Sequence, residues 1–244
     1  MREQTAHKLL KHVKDSYNLI ANEFSESRNR PWDEFKYFEP YLKQNSEIVD
    51  LGCGNGRLYD YLQKYYLKFG PKSFHYIGID NSEGLLNHAK TKYHDQIFML
   101  GDQLKIPLDE NQADLIMNIA AFHHIPGYSL RLQALYEMKR VLKKDGYLIM
   151  TVWNLWQPKY LKVILKALAN FILSLGNFSP NDFQVPWGNE KHPRYYHAFL
   201  PAEVMSLVKK AGFEIVETFS VKKGVKTSFF KSFNFCIIAK KISE

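Results

Sequence analysis

Cysteine is scarce in these 244 residues: Cys53 and Cys236 are the only two, and they lie far apart in glycine-rich or apolar surroundings. That spacing excludes a disulfide framework and a paired-cysteine zinc knuckle, and it suits a reducing cytoplasm. Long apolar runs are missing too. Tyr160 to Leu175 is the most hydrophobic window, but Lys162, Lys166 and Asn170 interrupt it, and it is too short to span a bilayer. Met1 to Gln4 mix charges ahead of no apolar stretch, so no secretory signal is expected. The expectation is a soluble, cytoplasmic chain with no membrane association. No Pro-, Gly- or Ser-rich linker, internal repeat or low-complexity tract divides it. Residues 1–244 therefore read as one domain, with an N-terminal segment over 1–40 and a helical insertion over 154–194.

Apolar material is plentiful. Hydrophobic residues make up 45% of the chain, with 17 Phe, 15 Tyr and 4 Trp, which is enough for a full core and excludes disorder. Thirty-three Lys and Arg against 25 Asp and Glu leave a net charge of +8. Such a surplus suits an anionic partner such as nucleic acid, and it equally serves solubility.

Strand-length apolar runs alternate with helical periods through the middle of the chain, the pattern of a parallel sheet covered by helices. The runs are Glu47–Leu51, Phe74–Asp80, Ile97–Leu100, Ala113–Ala120 and Gly146–Trp153, with helices expected near Arg57–Leu67, Ser82–Tyr93 and Leu130–Leu142. Farther on, a helix over Pro201–Lys210 ends at Gly212, and the runs Phe213–Phe219 and Phe233–Ala239 suggest an antiparallel hairpin closing the sheet. Two segments stand outside this alternation. Residues 1–40 hold a helix over His7–Ala21 and an irregular Phe24–Trp32. The insertion carries an amphipathic helix whose Leu161, Ile164, Leu165, Leu168, Ile172 and Leu175 share a face. Its lysines are expected in water and that face against the domain, with a partner-binding helix as the alternative.

The first strand runs into Val49-Asp50-Leu51-Gly52-Cys53-Gly54-Asn55-Gly56, a glycine loop opening a helix where a doubly wound sheet binds nucleotides. The spacing is not that of a pyrophosphate loop, and Asp50 immediately before it would repel a pyrophosphate while suiting the ammonium of an amino acid. Asp80-Asn81 ends the second strand, where a carboxylate can take both ribose hydroxyls, and Asp102-Gln103 ends the third, where an acid or amide can accept from an adenine amino group. Each carboxylate alone reads as a helix cap or a solvated strand end. Together and in this order they closely resemble the class I S-adenosyl-L-methionine-dependent methyltransferases, over residues 45 to 155. That resemblance implies an α/β, Rossmann-like, seven-stranded, mostly parallel sheet with an antiparallel C-terminal hairpin.

The flanks carry the likeness further. Ser16–Trp32, the Asn118–Ile125 run with His123-His124, Arg131, Thr151–Asn154, Arg194–Phe199 and Asn234–Cys236 resemble the tRNA wobble-uridine carboxymethyl methyltransferases. Members of that family esterify the carboxylate of 5-carboxymethyluridine in the anticodon. The resemblance implies cofactor contacts from Tyr17, Asp50, Gly52, Gly54, Gly56, Asp80, Asn81, Asp102, Gln103 and Asn118. It also implies a tRNA anticodon loop as partner and, by analogy with eukaryotic relatives, a small zinc-binding activator protein. One departure is Leu130, which precedes Arg131 where the family carries two arginines; the insertion helix has no match.

A carboxylate acceptor is already anionic at neutral pH, so alignment matters more than a strong base. Arg28 and Arg194 are candidates for gripping that carboxylate or a phosphate, or else surface ion-pair residues. Trp153 and Tyr195 or Tyr196 could stack on the base, with core burial the alternative for the tyrosines. His123 is the candidate hydrogen-bond donor to the acceptor, while His124 could equally orient the loop. Tyr17 and Phe24 would form a lid. Neither histidine reads as a metal ligand. A small-molecule methyltransferase would share every cofactor motif.

Overall fold

The computed structural model describes residues 1–28, 30–70, 73–175, 177–186 and 193–242. Part of the insertion, residue 176 and residues 187–192, therefore lies outside the described residues. Helices α1 (Glu3–Leu19) and α2 (Ala21–Ser27) lead through a 3-10 segment, Asp33–Tyr41, into the sheet. Strands β1 (Ser46–Leu51), β2 (Phe74–Asp80), β3 (Ile97–Leu100), β4 (Ala113–Ile119) and β5 (Leu142–Trp153) alternate with α3 (Arg57–Tyr66), α4 (Glu83–Lys92) and α5 (Tyr128–Val141). The insertion follows as α6 (Leu161–Leu173), β6 (Asp182–Val185) and β7 (Arg194–His197), and the chain ends with α7 (Pro201–Lys210), β8 (Phe213–Lys222), β9 (Val225–Thr227) and β10 (Asn234–Lys241).

The main sheet has the order β3-β2-β1-β4-β5-β10-β8-β9, and β6 pairs with β7 separately. Neighbours from β3 to β5 are parallel, while β10 runs antiparallel to both β5 and β8. Chain order reverses between β1 and β4, so the ends of these strands open a crevice at the switch point. Two apolar layers sandwich the sheet: Ile116, Leu148 and Met150 pack with α5 and α7, and Ile48, Leu115 and Met117 pack with α3, α4 and Phe35 and Phe38. No helix among the described residues is long and apolar enough to cross a membrane.

Three expectations need correction. The sheet has eight strands, not seven, because Lys223 and Gly224, with φ of 50° and 70°, make a tight turn that folds Val225–Thr227 back on β8. The stretch expected to be irregular from Phe24 begins as helix, since α2 continues from α1 after a bend at Ile20 and runs to Ser27, whose hydroxyl donates to the Glu23 carbonyl at 2.8 Å. The third concerns α6. It buries Ala167 and packs Val163 and Ile164, yet Leu161, Leu165, Leu168, Ile172 and Leu175 of the expected buried face are exposed. The short β6–β7 sheet offers it room to bury only one narrow edge.

Candidate functional site

A cavity with about 1000 Å³ of empty space, partly open to solvent, lies at the ends of β1, β2 and β4. Its floor is the glycine loop, where the amides of Gly52 and Cys53 both donate to the Ile79 carbonyl, at 2.7 and 3.0 Å. Gly52 has φ +84°, and a Cβ there would stand 2.4 Å from that of Ala121, so only glycine fits. Gly54, with φ +55°, presents bare backbone to the cavity beneath Phe24. Gly56 caps α3 and packs against Tyr93, outside the lining.

Asp80 faces this cavity, its two oxygens accepting from the amides of Ser82 and Gly54, both at 2.8 Å. Burial raises its pKa against the pull of these amides. A carboxylate has about four lone-pair sites, so these amides leave room for a hydroxyl donor. Asp50 is buried beneath the loop, where it accepts from the Tyr76 hydroxyl at 2.8 Å. Burial pushes its pKa up to about 7, which the Tyr76 hydrogen bond only partly opposes. A cation arriving in the cavity would relieve this carboxylate. Asn81 and Gln103 also line the space. Asn118 does not: fully buried, it donates to the Leu51 carbonyl at 3.0 Å and to Gln103 Oε1 at 2.7 Å, and so orients Gln103. Asp102 turns outward, exposed, and accepts from the Leu104 amide at 2.8 Å; it shapes the turn after β3 without joining the lining.

The structure places the two histidines differently from each other, and neither offers a free donor to the cavity. His123 is wholly buried, stacked on Tyr196 and accepting from the Trp153 amide at 3.2 Å, and it does not reach the cavity. His124 does. Its Nδ1 lies 2.9 Å from the Tyr195 carbonyl, so Nδ1 carries the hydrogen and Nε2 accepts from the Tyr17 hydroxyl at 2.8 Å. Arg194 in turn donates to that hydroxyl at 2.9 Å. Burial depresses both imidazoles, His124 to about 3 and His123 well below its ordinary value, so both are neutral.

Arg194 is only 2% exposed and stands behind Tyr17, outside the cavity lining, which corrects its placement as a residue gripping the acceptor. Tyr195 is buried as well. Its hydroxyl donates to Asp182 at 2.6 Å and accepts from Arg131 at 3.1 Å. Alternation along β7 explains both: Arg194 and Tyr196 point to Tyr17 and Trp153, while Tyr195 and His197 point to Asp182. Arg131 is committed to this network and to the Ile125 carbonyl at 2.9 Å, so it is a structural arginine.

Arg28 and Trp153, by contrast, do reach open space. Both line the first cavity and an adjoining open cleft with about 1550 Å³ of empty space, and Trp32 and Arg57 share that junction. The Arg57 guanidinium lies 4.6 Å over the Trp32 ring, and burial together with Arg28 lowers its pKa to about 10. Arg30, Lys159 and Lys223 add cations to the cleft, and Tyr160 and Phe233 add aromatic faces. Arg57 and Trp32 escaped the sequence reading. Arg57 follows the glycine loop directly, and that adjacency was the available signal.

Residues 49–150 match the family described as a methyltransferase domain. A tRNA (carboxymethyluridine(34)-5-O)-methyltransferase of Schizosaccharomyces pombe is 31% identical over 221 residues, spanning 84% of this chain and 90% of its own. The ubiquinone/menaquinone biosynthesis C-methyltransferase UbiE of Campylobacter jejuni is 30% identical over 199 residues, 78% of this chain and 79% of its own. Among solved structures, the complex between a Haloferax volcanii Trm112 methyltransferase activator and a putative methyltransferase superposes with a TM-score of 0.63 at 17% identity, over 95% of this chain and 98% of that one, a likeness of fold. Sheet, cavity and domain match define an S-adenosyl-L-methionine-dependent methyltransferase. Within that class, the chain belongs to the tRNA (carboxymethyluridine(34)-5-O)-methyltransferase family.

Proposed function

We propose that this enzyme transfers the methyl group of S-adenosyl-L-methionine to the carboxylate of a 5-carboxymethyluridine, or a related carboxylated uridine, at the tRNA wobble position in the cytoplasm. The observation that carries the reading is the junction between cavity and cleft: Arg28, Trp32, Arg57 and Trp153 meet there, and none of them is a base. The nearby His124 is neutral, with both nitrogens engaged. An acceptor that brings its own negative charge suits this junction, where two guanidiniums can orient it.

In this reading Asp80 takes the ribose hydroxyls, Asp50 answers the amino-acid ammonium, and Asn81 and Gln103 serve the adenosine end. Bound S-adenosyl-L-methionine supplies an electrophilic methyl on a sulfonium centre. Tyr17 and Phe24 act as a lid that keeps water from it, Trp153 and Trp32 offer stacking faces to an unstacked base, and the cleft lysines hold phosphates. A small activator subunit, of the kind the Haloferax neighbour binds, belongs to the proposal as an accessory to activity.

A small-molecule acceptor is the second reading, favoured by the likeness to UbiE. The test compares bulk tRNA with a panel of small acids and follows the product by nucleoside analysis. The expected product is a methyl ester on tRNA, destroyed by mild alkali, formed only where the carboxymethyl precursor is present, with turnover falling steeply as salt rises. Alkali-stable methyl groups on tRNA, or salt-insensitive turnover of a small acid, would overturn the proposal.

A further inference from the structure

Within the cationic cleft, one buried side chain has the opposite charge. Glu34, in the first turn of the 3-10 segment Asp33–Tyr41, is 5% exposed and lines the cleft. Its Oε1 accepts from Asn234 Nδ2 at 2.5 Å, which fixes the orientation of the carboxylate. Its Oε2 makes no hydrogen bond among the described residues, and it is not among the unpartnered atoms sealed from solvent. Glu34 thus brings to the space that Trp32 and Trp153 also line a carboxylate oxygen with no hydrogen-bond donor among the described residues, its charge partly balanced by the nearby Arg57 guanidinium. Such an oxygen is costly to hold beside a ligand unless the ligand brings a donor.

We infer that Glu34 is the residue that reads the acceptor base, its Oε2 accepting the N3–H of the target uridine. The inference rests on the tRNA reading above. Uracil carries a donor at N3, whereas cytosine carries a lone pair there and would set two acceptors against each other. A site built around a buried hydrogen-bonding group rejects an analogue that leaves the group unpaired far more strongly than an apolar pocket can. Arg28 and Arg57 would then take the carboxymethyl group on the C5 side while Glu34 takes the pairing edge.

The test uses the full chain and anticodon stem-loop RNAs bearing 5-carboxymethyluridine, its N3-methyl derivative or 5-carboxymethylcytidine at the wobble position. For the unaltered enzyme, kcat/KM should favour the plain uridine by about 100-fold or more over both analogues. In Glu34→Gln, Asn234 still donates to the side-chain oxygen, so the new amide NH2 faces the cleft and donates where Oε2 accepted. That variant should lose turnover on the uridine, gain on the cytidine and discriminate by less than about 10-fold, with S-adenosyl-L-methionine affinity and Tm unchanged. A merely structural Glu34 would leave the discrimination untouched in the variant, and that result would overturn the inference. Equal turnover of uridine and its N3-methyl form by the unaltered enzyme would overturn it without any variant. Methylation of none of the RNAs would overturn the tRNA reading, and the inference with it.

Discussion

The cofactor cavity and the acceptor cleft meet at Arg28, Trp32, Arg57 and Trp153, yet they are assembled differently. The cavity is made at the ends of consecutive parallel strands, largely from backbone: glycine amides, the Ile79 carbonyl and Asp80, whose oxygens are held by two neighbouring amides. The cleft gathers side chains from the N-terminal segment, the end of β5, the start of the insertion and the C-terminal strands. A surface made of backbone and strand ends tolerates little change and fits one ligand class. One made of long side chains from unrelated segments can be respecified by a few substitutions. A relative at 30% identity that carries a different acceptor in its name fits this division.

Removing a junction side chain should break the comparison most visibly. Arg28→Ala should lower kcat/KM for tRNA by about 100-fold while leaving S-adenosyl-L-methionine affinity nearly intact, because its proposed partner is on the acceptor. Arg28→Lys should not restore the rate, since a point charge cannot replace a fork. Lost cofactor affinity in calorimetry would put Arg28 in the other half. The converse substitution, Asp80→Ala, should weaken cofactor binding by about 2 kcal/mol, because ribose hydroxyls and the amides of Gly54 and Ser82 lose their acceptor together. Unchanged affinity would remove Asp80 from the ribose.

Acid acts on buried groups at and beside the cofactor cavity, and with opposite signs. His123 and His124 have folded pKa values below the ordinary 6.5, so the stability tied to their neutral forms is complete above pH 6.5 and is lost as pH falls, for His124 until about 3. Asp50 runs the other way: its value is raised from 3.8 to about 7, so its contribution is complete below 3.8 and is lost as pH rises through 7. Between pH 6.5 and 4 the buried carboxylate therefore offsets one of the two imidazoles. Asp50→Asn should steepen the acid loss of unfolding free energy in that window by about 1.4 kcal/mol per pH unit, measured by urea titration at several pH values. An unchanged slope would mean that Asp50 is not held near neutral pKa.

Much of this division was legible in the sequence, though unevenly. Glycine spacing and acids at strand ends are local patterns, and the cavity is local, so Gly52, Gly54, Asp80, Asn81 and Gln103 all line it. Which of two adjacent histidines faces inward depends on the turn after β4, a 3-10 segment that buries His123 against Trp153 and Tyr196. Arg194 and Tyr195 depended on recognising Arg194–His197 as a strand buried on both faces, which a four-residue polar-aromatic run hides. Asp102 failed for a third reason: an acid two residues before a free amide forms its own turn. The α6 stripe marks the limit of periodicity as a guide, because a helical repeat identifies an apolar face without saying how much of it the fold has surface to cover.

Tyr17 connects the halves, and its removal should have the smallest and most informative effect. It lines the cofactor cavity from α1, a helix of the N-terminal segment, and its hydroxyl accepts from Arg194 of β7 while donating to His124. The ring packs edge-on against Phe24 and His124, so Tyr17→Phe keeps those contacts and removes only the hydroxyl. His124 Nε2 loses its donor and Arg194 one acceptor, which should cost about 1 kcal/mol of stability, read as a modest fall in Tm. Asp50, Asp80, Asn81 and Gln103, the groups assigned to the cofactor, are not bonded to that hydroxyl, so S-adenosyl-L-methionine affinity should move little, whereas the loop that carries His124, tied to Trp153 through His123, is freed to shift. Turnover on tRNA should therefore fall by a larger factor than cofactor affinity. An equal fall in both would show that Tyr17 serves the cofactor cavity alone and that the two halves are not joined through it.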